Sequence, residues 1–276
     1  MLAEAGVSHA QHEAGWILES ALGLDRLALH VKQDEAVKTC DLKHAMALFR
    51  RRASREPLQY VLGTQEFCGL DLCVTPDVLI PRPETELLVH VITQECAGTF
   101  GAAIADIGTG SGCIAIALAH AMPTARLYAI DRSPQALALA HENAKRHGVQ
   151  NRIVFLRGDL LEPLQEHGLQ GTLAAIVSNP PYIAERDFDT LQPEVRLFEP
   201  RMALTAGSDG LFFHRRLVRE AAGLLQPDGR LAIEVGQGQA THVSGLAQDG
   251  ENYYNVRTLQ DMAGIERVVV FKRRCE

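Results

Sequence analysis

The segment Ser178-Asn179-Pro180-Pro181-Tyr182 directly follows the apolar run Leu173 to Val177. Its two prolines stiffen the backbone and remove two N–H donors, which leaves carbonyl groups free to accept hydrogen bonds. The Asn179 side-chain oxygen and the Pro180 carbonyl can then accept both N–H bonds of a primary amide or an aromatic amine. Tyr182 either stacks on that planar group or belongs to the core. We predict Asn179, Pro180 and Tyr182 as catalytic residues, and the same three with Pro181 as substrate-binding residues.

Such a site suits the methylation of a planar nitrogen. The lone pair of an amide nitrogen is conjugated, as the rotation barrier of about 18–20 kcal/mol shows, so the nitrogen is a poor nucleophile. Orientation alone can contribute about 7–11 kcal/mol, so positioning can suffice without a strong base. The sequence shows no Ser/His/Asp or Cys/His constellation, and its 11 histidines form no H-E-x-x-H pattern. We therefore predict no metal.

A glycine-rich loop, Asp106 to Gly112, stands between a predicted strand and a predicted helix. Its G-x-G-x-G spacing differs from the G-x-G-x-x-G of dinucleotide sites and favours S-adenosylmethionine, although a chance glycine-rich turn would look alike. Asp131 ends the next strand about 20 residues on, where a carboxylate can bind ribose hydroxyls or simply precede a helix. After a third strand, Asp159 can accept the adenine amino group and Leu160 can cover the ring. The predicted cofactor-binding residues are Gly108, Thr109, Gly110, Ser111, Gly112, Asp131, Asp159 and Leu160.

Strands and helices must alternate to position these loops. Apolar strand patterns cover 103–107, 126–130, 152–156, 173–178 and 230–235, with a last pair at 254–259 and 267–271. Helical patterns follow the first strand up to Met122 and the second over 134–147. This alternation predicts an α/β, Rossmann-like fold with a mostly parallel sheet, whose ligands lie beyond the carboxyl ends of the strands.

The N-terminal part differs in its pattern. Ser8 with Gln11 predicts a capping box for one helix, and Asp41 the cap of a second, whose apolar stripe opposes the solvated run Arg50-Arg51-Arg52. Alternation of Leu70, Leu72 and Val74 predicts a β-hairpin. We expect three parts: a helical substrate-recognition domain at 1–57, a β-hairpin linker at 58–80 and a catalytic domain at 81–276.

Composition narrows the class of protein. The apolar fraction of 46% is typical of a folded soluble chain, and the first residues do not resemble a signal peptide. A net charge of −7 argues against direct nucleic-acid binding. The six cysteines form no C-x-x-C pair and are expected to be reduced. We expect a cytoplasmic monomer without membrane association.

Nearly the whole chain resembles the release factor glutamine methyltransferases, the PrmC/HemK family. The resemblance is carried by these segments: Arg51-Arg52, Glu56 to Gly63, Leu79-Ile80-Pro81-Arg82-Pro83-Glu84-Thr85-Glu86, Asp106 to Gly112, Asn179 to Tyr182, Phe198-Glu199-Pro200, Glu234-Val235-Gly236-Gln237-Gly238-Gln239 and Asp261 to Arg267.

The resemblance implies a class I methyltransferase fold that uses S-adenosylmethionine, with S-adenosylhomocysteine as product. It further implies methylation of the glutamine in the Gly-Gly-Gln motif of peptide-chain release factors, held partly by the helical domain. Asn179 would contact the cofactor as well as the glutamine. Many relatives have an aromatic residue where Leu160 stands, so stacking over adenine is in question. Arg82, Glu84, Glu86 and Glu199 either line the substrate channel or serve helix-start electrostatics and domain orientation.

Three alternatives stay open at this point. A ribosomal-protein glutamine methyltransferase would share both loops and differ mainly in its N-terminal surface. An adenine-directed DNA or RNA methyltransferase shares the Asn179 to Tyr182 motif but is expected to carry a basic groove or a recognition domain. The third alternative is a module that binds the cofactor without catalysis. Such a module would not need the Asn179 side-chain oxygen and the Pro180 carbonyl as paired hydrogen-bond acceptors.

Overall fold

The computed structural model describes residues 1–247 and 252–275. The chain forms two compact units: Met1–Thr64 together with Leu191–Glu199, and Gln65–Thr190 together with Pro200–Glu276. No helix among the described residues is long and apolar enough to cross a membrane. All six cysteines are free thiols.

The first unit is helical. Its helices are α1 (Ala10–Leu22), α2 (Arg26–Val31), α3 (Thr39–Ala53), α4 (Leu58–Leu62) and, from the later segment, α9 (Pro193–Phe198). Its apolar core consists of Leu2, Val7, Ile17, Leu48, Leu58 and Val61.

Three local predictions for this unit were wrong. Helix α1 begins after His9, which makes no side-chain cap, so Ser8 and Gln11 form no capping box. Helix α3 begins after Lys38, which places Asp41 inside the first turn. Residues 58–62, which we predicted to belong to the β-hairpin linker, form a helix instead. Pro57 directly precedes this helix, and proline is common at helix starts.

The prediction of a solvated arginine run is wrong for Arg52, although Arg50 and Arg51 are exposed. Arg52 is only 5% exposed, and its guanidinium lies 2.5 Å from Glu13 and 3.1 Å from Glu194. Arg51 pairs with Glu56 at 2.5 Å. Burying an arginine requires such carboxylate partners, and they come from distant parts of the sequence that spacing alone does not connect.

The second unit begins with a two-stranded sheet of β1 (Thr64–Phe67) and β2 (Leu70–Cys73). Its remaining strands are β3 (Ala103–Ile107), β4 (Arg126–Asp131), β5 (Ile153–Arg157), β6 (Leu173–Ser178), β7 (Leu225–Glu234), β8 (Tyr253–Gln260) and β9 (Glu266–Arg273). Its helices are α5 (Glu86–Glu95), α6 (Cys113–Ala121), α7 (Pro134–Arg146), α8 (Glu162–Glu166), α10 (Phe212–Ala221) and α11 (Ala240–Gly245). A 3-10 turn, Pro83–Thr85, leads into α5.

Seven strands form one sheet in the order β5-β4-β3-β6-β7-β9-β8. Strands β3 to β7 are parallel, whereas β9 runs antiparallel to β7 and β8. Alternate residues of β3 enter different clusters: Ile104 belongs to one apolar cluster and Ala105 to another, so both faces of the sheet are covered. The predicted α/β sheet is confirmed.

The strand order reverses between β3 and β6. From β3 the chain builds outward through β4 to β5, and from β6 it builds the other way through β7. Open parallel sheets bind ligands at the carboxyl ends of the strands on either side of such a reversal. The loops that follow β3 and β6 are therefore where a functional site is expected.

Candidate active site

The two loops singled out in the sequence are neighbours at this switch point. Strands β3 and β6 pair in parallel with Ile107 opposite Ser178. The Ser178 hydroxyl, fully buried, donates to the Ile107 carbonyl oxygen at 2.7 Å. The residues after Ser178 are thereby held beside the glycine-rich loop.

A cavity of about 330 Å³ opens between these loops within the second unit. Of the residues predicted from sequence, the following line it: Gly108, Gly110, Asp131, Asp159, Leu160, Asn179, Pro180 and Pro181. Sequence reasoning missed Asp77, Leu79, Met202 and Phe213, which also line it. Of these four residues, only Leu79 belongs to a segment that carried the family resemblance. Phe213 supplies an aromatic ring in the cavity wall, which Leu160 cannot supply.

Asp131 organises the cofactor loop. Its two carboxylate oxygens accept hydrogen bonds from the backbone N–H groups of Gly110 and Ser133, each at 2.9 Å. Burial raises the pKa of Asp131, and these backbone bonds oppose the rise. A carboxylate offers about four acceptor positions, so these bonds leave acceptor capacity for a ligand hydroxyl. Together with the mainly apolar walls of the cavity, this donor and acceptor set fits a nucleoside cofactor.

Behind the loop, Asp106 is fully buried. It accepts hydrogen bonds from the Thr109 hydroxyl at 2.6 Å and from the Ala115 N–H at 3.2 Å, while burial raises its pKa to about 7. Thr109 and Ser111 are themselves buried. The Thr109 hydroxyl therefore supports the loop from the inside through Asp106, and the cofactor-binding roles of Thr109 and Ser111 stay predictions.

Gly112 permits a close approach of α6 and α7. It has a φ of +83°, and a Cβ there would lie 3.0 Å from the Ala140 Cβ. A larger residue would push the two helices apart and displace the loop. Its predicted cofactor-binding role stays a prediction too.

At the third strand end, Asp159 lies 2.5 Å from the Arg216 guanidinium. Leu160 has a φ of +49°, in the left-handed region that non-glycine residues rarely adopt. The salt bridge orients the Asp159 carboxylate, and the backbone turn places Leu160 in the cavity wall.

Asn179 is held by partners that the sequence did not single out. Its side-chain nitrogen donates to the Thr85 hydroxyl at 3.0 Å, and that hydroxyl donates to the Glu234 carboxylate at 2.7 Å. Burial raises the pKa of Glu234 to about 7, against the lowering effect of the Thr85 hydrogen bond. Both residues stood in segments that carried the resemblance, but nothing in their types distinguished them from their neighbours.

Tyr182 is fixed through its backbone. Its carbonyl oxygen accepts from the Gln239 side-chain nitrogen at 2.9 Å, and the Gln239 side-chain oxygen accepts from the Gly236 N–H at 2.9 Å. Burial raises the pKa of Tyr182 to about 12, and the nearby Glu234 carboxylate contributes to this rise. The phenol is therefore neutral at physiological pH and can act as a wall or a hydrogen-bond donor.

Solved structures share this architecture. A methyltransferase from Pyrococcus furiosus matches with a TM-score of 0.54 and 17% identity, over 85% of this chain and 99% of that one. The hMettl16 catalytic domain, in complex with MAT2A 3'UTR hairpin 6, matches with a TM-score of 0.59 and 16% identity, over 85% and 82%. At such identities the likeness concerns the fold alone, and it confirms the class I methyltransferase architecture.

Sequence comparison is more specific. The model of the PrmC N-terminal domain matches residues 1–63, and that of the methyltransferase small domain matches residues 83–199. The release factor glutamine methyltransferase of Geobacter sulfurreducens is 49% identical over 97% of this chain and 91% of its own length. Those of Gloeobacter violaceus and Moorella thermoacetica are each 44% identical, over 98% and 100% of this chain and 93% and 95% of their own. This chain is thus an S-adenosylmethionine-dependent methyltransferase, and it belongs to the release factor glutamine methyltransferase family.

Proposed function

We propose that this protein methylates the side-chain amide nitrogen of the glutamine in the Gly-Gly-Gln motif of peptide-chain release factors. The proposal is based on the orientation of the Asn179 amide at the cofactor cavity. Its nitrogen donates a hydrogen bond to the Thr85 hydroxyl. Its oxygen is then the atom available to a substrate N–H. The relatives with up to 49% identity named for this reaction support the choice of substrate.

In the proposed reaction, S-adenosylmethionine supplies an electrophilic methyl group on a sulfonium. The Asn179 oxygen and the Pro180 carbonyl accept the two amide N–H bonds, which fixes the nitrogen in line with that methyl group. With the cofactor bound, the C–N bond would form as the C–S bond breaks, the sulfonium would become a neutral thioether, and the N-methylated amide would release one proton to solvent as the products leave. Pro181 keeps the loop rigid, and Tyr182 closes the site against water.

The cofactor-binding assignment follows the cavity. We infer that Asp131 binds the ribose hydroxyls and that Asp159 accepts the adenine amino group. Leu160 and the backbone of Gly108 and Gly110, which line the same cavity, contact the cofactor. Asn179 borders both the cofactor and the glutamine.

We assign residues 1–57 to substrate recognition, 58–80 to a linker and 81–276 to catalysis. The match of the PrmC N-terminal domain to residues 1–63 supports a separate role for the first part. The net charge of −7 supports a protein partner over a nucleic acid. We further propose that the enzyme works in the cytoplasm as a monomer.

The test is a methylation assay with labelled S-adenosylmethionine. Release factor, ribosomal proteins and DNA are offered separately, with a release factor carrying Glu in place of the target glutamine as control. Mass spectrometry should place the label on the Gly-Gly-Gln glutamine only. Label on a ribosomal protein or on DNA adenine, or none on the release factor, would contradict the proposal.

A paired variant tests the amide clamp. Asn179→Ala should abolish transfer while leaving cofactor affinity largely intact, since the ribose and adenine contacts remain. Asn151→Ala, at an exposed position, is the matched control. Near-normal turnover of Asn179→Ala would refute the clamp.

A further inference from the structure

We propose that Thr85 and Glu234 are positioning residues that decide which end of the Asn179 amide meets the substrate, an inference that rests on the function proposed above. The three side chains form one chain of hydrogen bonds. Asn179 donates to Thr85 at 3.0 Å, and Thr85 donates to Glu234 at 2.7 Å. All three lie in the second compact unit.

The direction of this chain follows from counting protons. Burial raises the pKa of Glu234 to about 7, so above that pH Glu234 is an ionised carboxylate that only accepts hydrogen bonds, and the single hydroxyl proton of Thr85 goes to it. The Thr85 oxygen then has only lone pairs to offer, so the Asn179 amide must turn its NH2 end toward Thr85. The Asn179 oxygen is thereby committed to the opposite side, as an acceptor.

Burial makes this arrangement decisive. Thr85 and Glu234 are each only 2% exposed, so water does not readily replace either partner. Without the Thr85 hydroxyl, the two ends of the Asn179 amide become nearly equivalent in shape and the group can turn over. A reversed Asn179 would present an NH2 group to the NH2 group of the glutamine, and two donors cannot bond to each other.

The fold brings the three residues together from three separate segments. Asn179 follows β6, and Glu234 ends β7, which pairs with β6 in parallel with Ile233 opposite Ser178. Thr85 ends the 3-10 turn before α5. The His214 side chain contacts the Glu234 carbonyl oxygen at 2.9 Å and so fixes the end of β7.

Three charged side chains influence the ionisation of Glu234. Arg267 and Arg82 favour its ionised form, whereas Glu84 disfavours it, and burial is the largest influence. Tyr182, beside the same carboxylate, stays neutral because burial raises its pKa to about 12. The two arginines therefore oppose the effect of burial, and above pH 7 Glu234 is the ionised acceptor that the chain of hydrogen bonds needs.

The first test removes the Thr85 hydroxyl while keeping the shape of the side chain. At about pH 8, where Glu234 is ionised, Thr85→Val should lower kcat on release factor by about 10-fold or more, the effect of losing one oriented hydrogen bond. KM for release factor and cofactor affinity should change far less. Thr85→Ser, which restores the hydroxyl, should recover turnover. Thr93→Val is the matched control, because the buried Thr93 hydroxyl on α5 has no hydrogen-bond partner in the described structure.

A second variant examines the acceptor. Glu234→Leu should reduce kcat like Thr85→Val, and the double variant should be no worse than either single one, since both break the same chain. Fully additive losses, or a Thr85→Val enzyme within about twofold of the wild type, would overturn the proposal. Thermal melting of each variant separates loss of fold from loss of turnover.

A measurement without substrate distinguishes this inference from the proposed function. In NMR spectra of the full chain, the Asn179 side-chain NH2, identified by its absence in Asn179→Asp, should exchange slowly in the wild type and fast in Thr85→Val. If the wild type does not methylate release factor, the proposed function is wrong. The positioning role is then tested only by comparing the exchange rates of the wild type and Thr85→Val. If the wild type is active and exchange is equally fast in both proteins, the positioning role fails and the function stands.

Discussion

The Gln239 side-chain nitrogen lies 2.9 Å from the Tyr182 carbonyl oxygen. The same glutamine accepts from the Gly236 N–H at 2.9 Å, so one side chain joins the end of the reaction loop to the turn after β7. Downstream, Ile183 forms a parallel bridge with Thr205. The loop is therefore held at Tyr182 and at the residue that follows it.

Gln239→Ala should loosen Tyr182 and lower kcat about 10-fold, since the partly buried Tyr182 carbonyl loses its hydrogen-bond partner. Cofactor affinity should stay close to that of the wild type. Steady-state kinetics and calorimetry measure the two quantities. Gln237→Ala, at an exposed position two residues away, is the control, and equal kinetics of the two variants would refute the prediction.

Asp131→Ala should weaken cofactor binding about 10- to 100-fold, the range expected when hydrogen bonds to a charged acceptor are lost. The Gly110 and Ser133 N–H groups lose their acceptor at the same time, so the loop becomes less ordered. Isothermal calorimetry with S-adenosylmethionine measures the affinity. Glu142→Ala, at an exposed position on α7, should bind normally. Unchanged affinity of Asp131→Ala would remove this residue from the site.

Asn143 supports the cofactor loop from α7. Its side chain bonds to both backbone groups of Cys73, at 2.8 Å and 3.0 Å, and to the Ser111 carbonyl at 2.9 Å. Asn143→Ala leaves these buried groups without partners and should lower the free energy of unfolding by about 3 kcal/mol. Urea denaturation of the variant and of Asn151→Ala, an exposed control, provides the comparison. A loss no larger than that of the control would show that the bonds contribute little.

Glu234 gives the stability a pH dependence. Burial raises its pKa from 4.5 to about 7, so in this interval the folded protein keeps a proton that the unfolded chain releases. Its contribution to the free energy of unfolding is complete below the ordinary pKa and is lost as the pH rises toward 7. Urea denaturation at about pH 5 and about pH 8 should show a smaller pH dependence for Glu234→Gln than for the wild type.

That comparison cancels the contributions of other buried groups, including Asp106, whose pKa burial also raises to about 7. Glu142→Gln, at an exposed position, should behave like the wild type. The assignment of this pH dependence to Glu234 would be wrong if Glu234→Gln retained the full effect.

Periodicity predicted the sheet well, because a buried parallel strand is a short apolar run that ends where polar residues begin. The strand Leu173–Ser178 has the predicted bounds, and Ala103–Ile107 does as well. Residues 26–31 form a helix that was not predicted, because six residues are too few to show an apolar stripe. Its only signal was Asp25, which caps the Ala28 N–H at 2.7 Å.

Some residues of the candidate site could likewise be predicted from the sequence, and others could not. Residues next to strand ends, such as Asp131 and Asn179, are predictable because topology places strand ends together. Thr85 and Glu234 were missed, because their importance lies in a hydrogen bond between residues 149 positions apart. Phe213 was missed because a helix residue facing a cavity looks, in sequence, like one facing a core.

The ion pairs of Arg52 make the helical unit discontinuous in sequence. Glu13 precedes Arg52 by 39 residues, but Glu194 follows it by 142, after the reaction loop. During translation Arg52 therefore emerges with one carboxylate partner and acquires the second only when most of the chain has been made. Transplanting residues 1–64 into another methyltransferase would leave this network incomplete, so an exchange of recognition modules between relatives must carry Leu191–Glu199 as well.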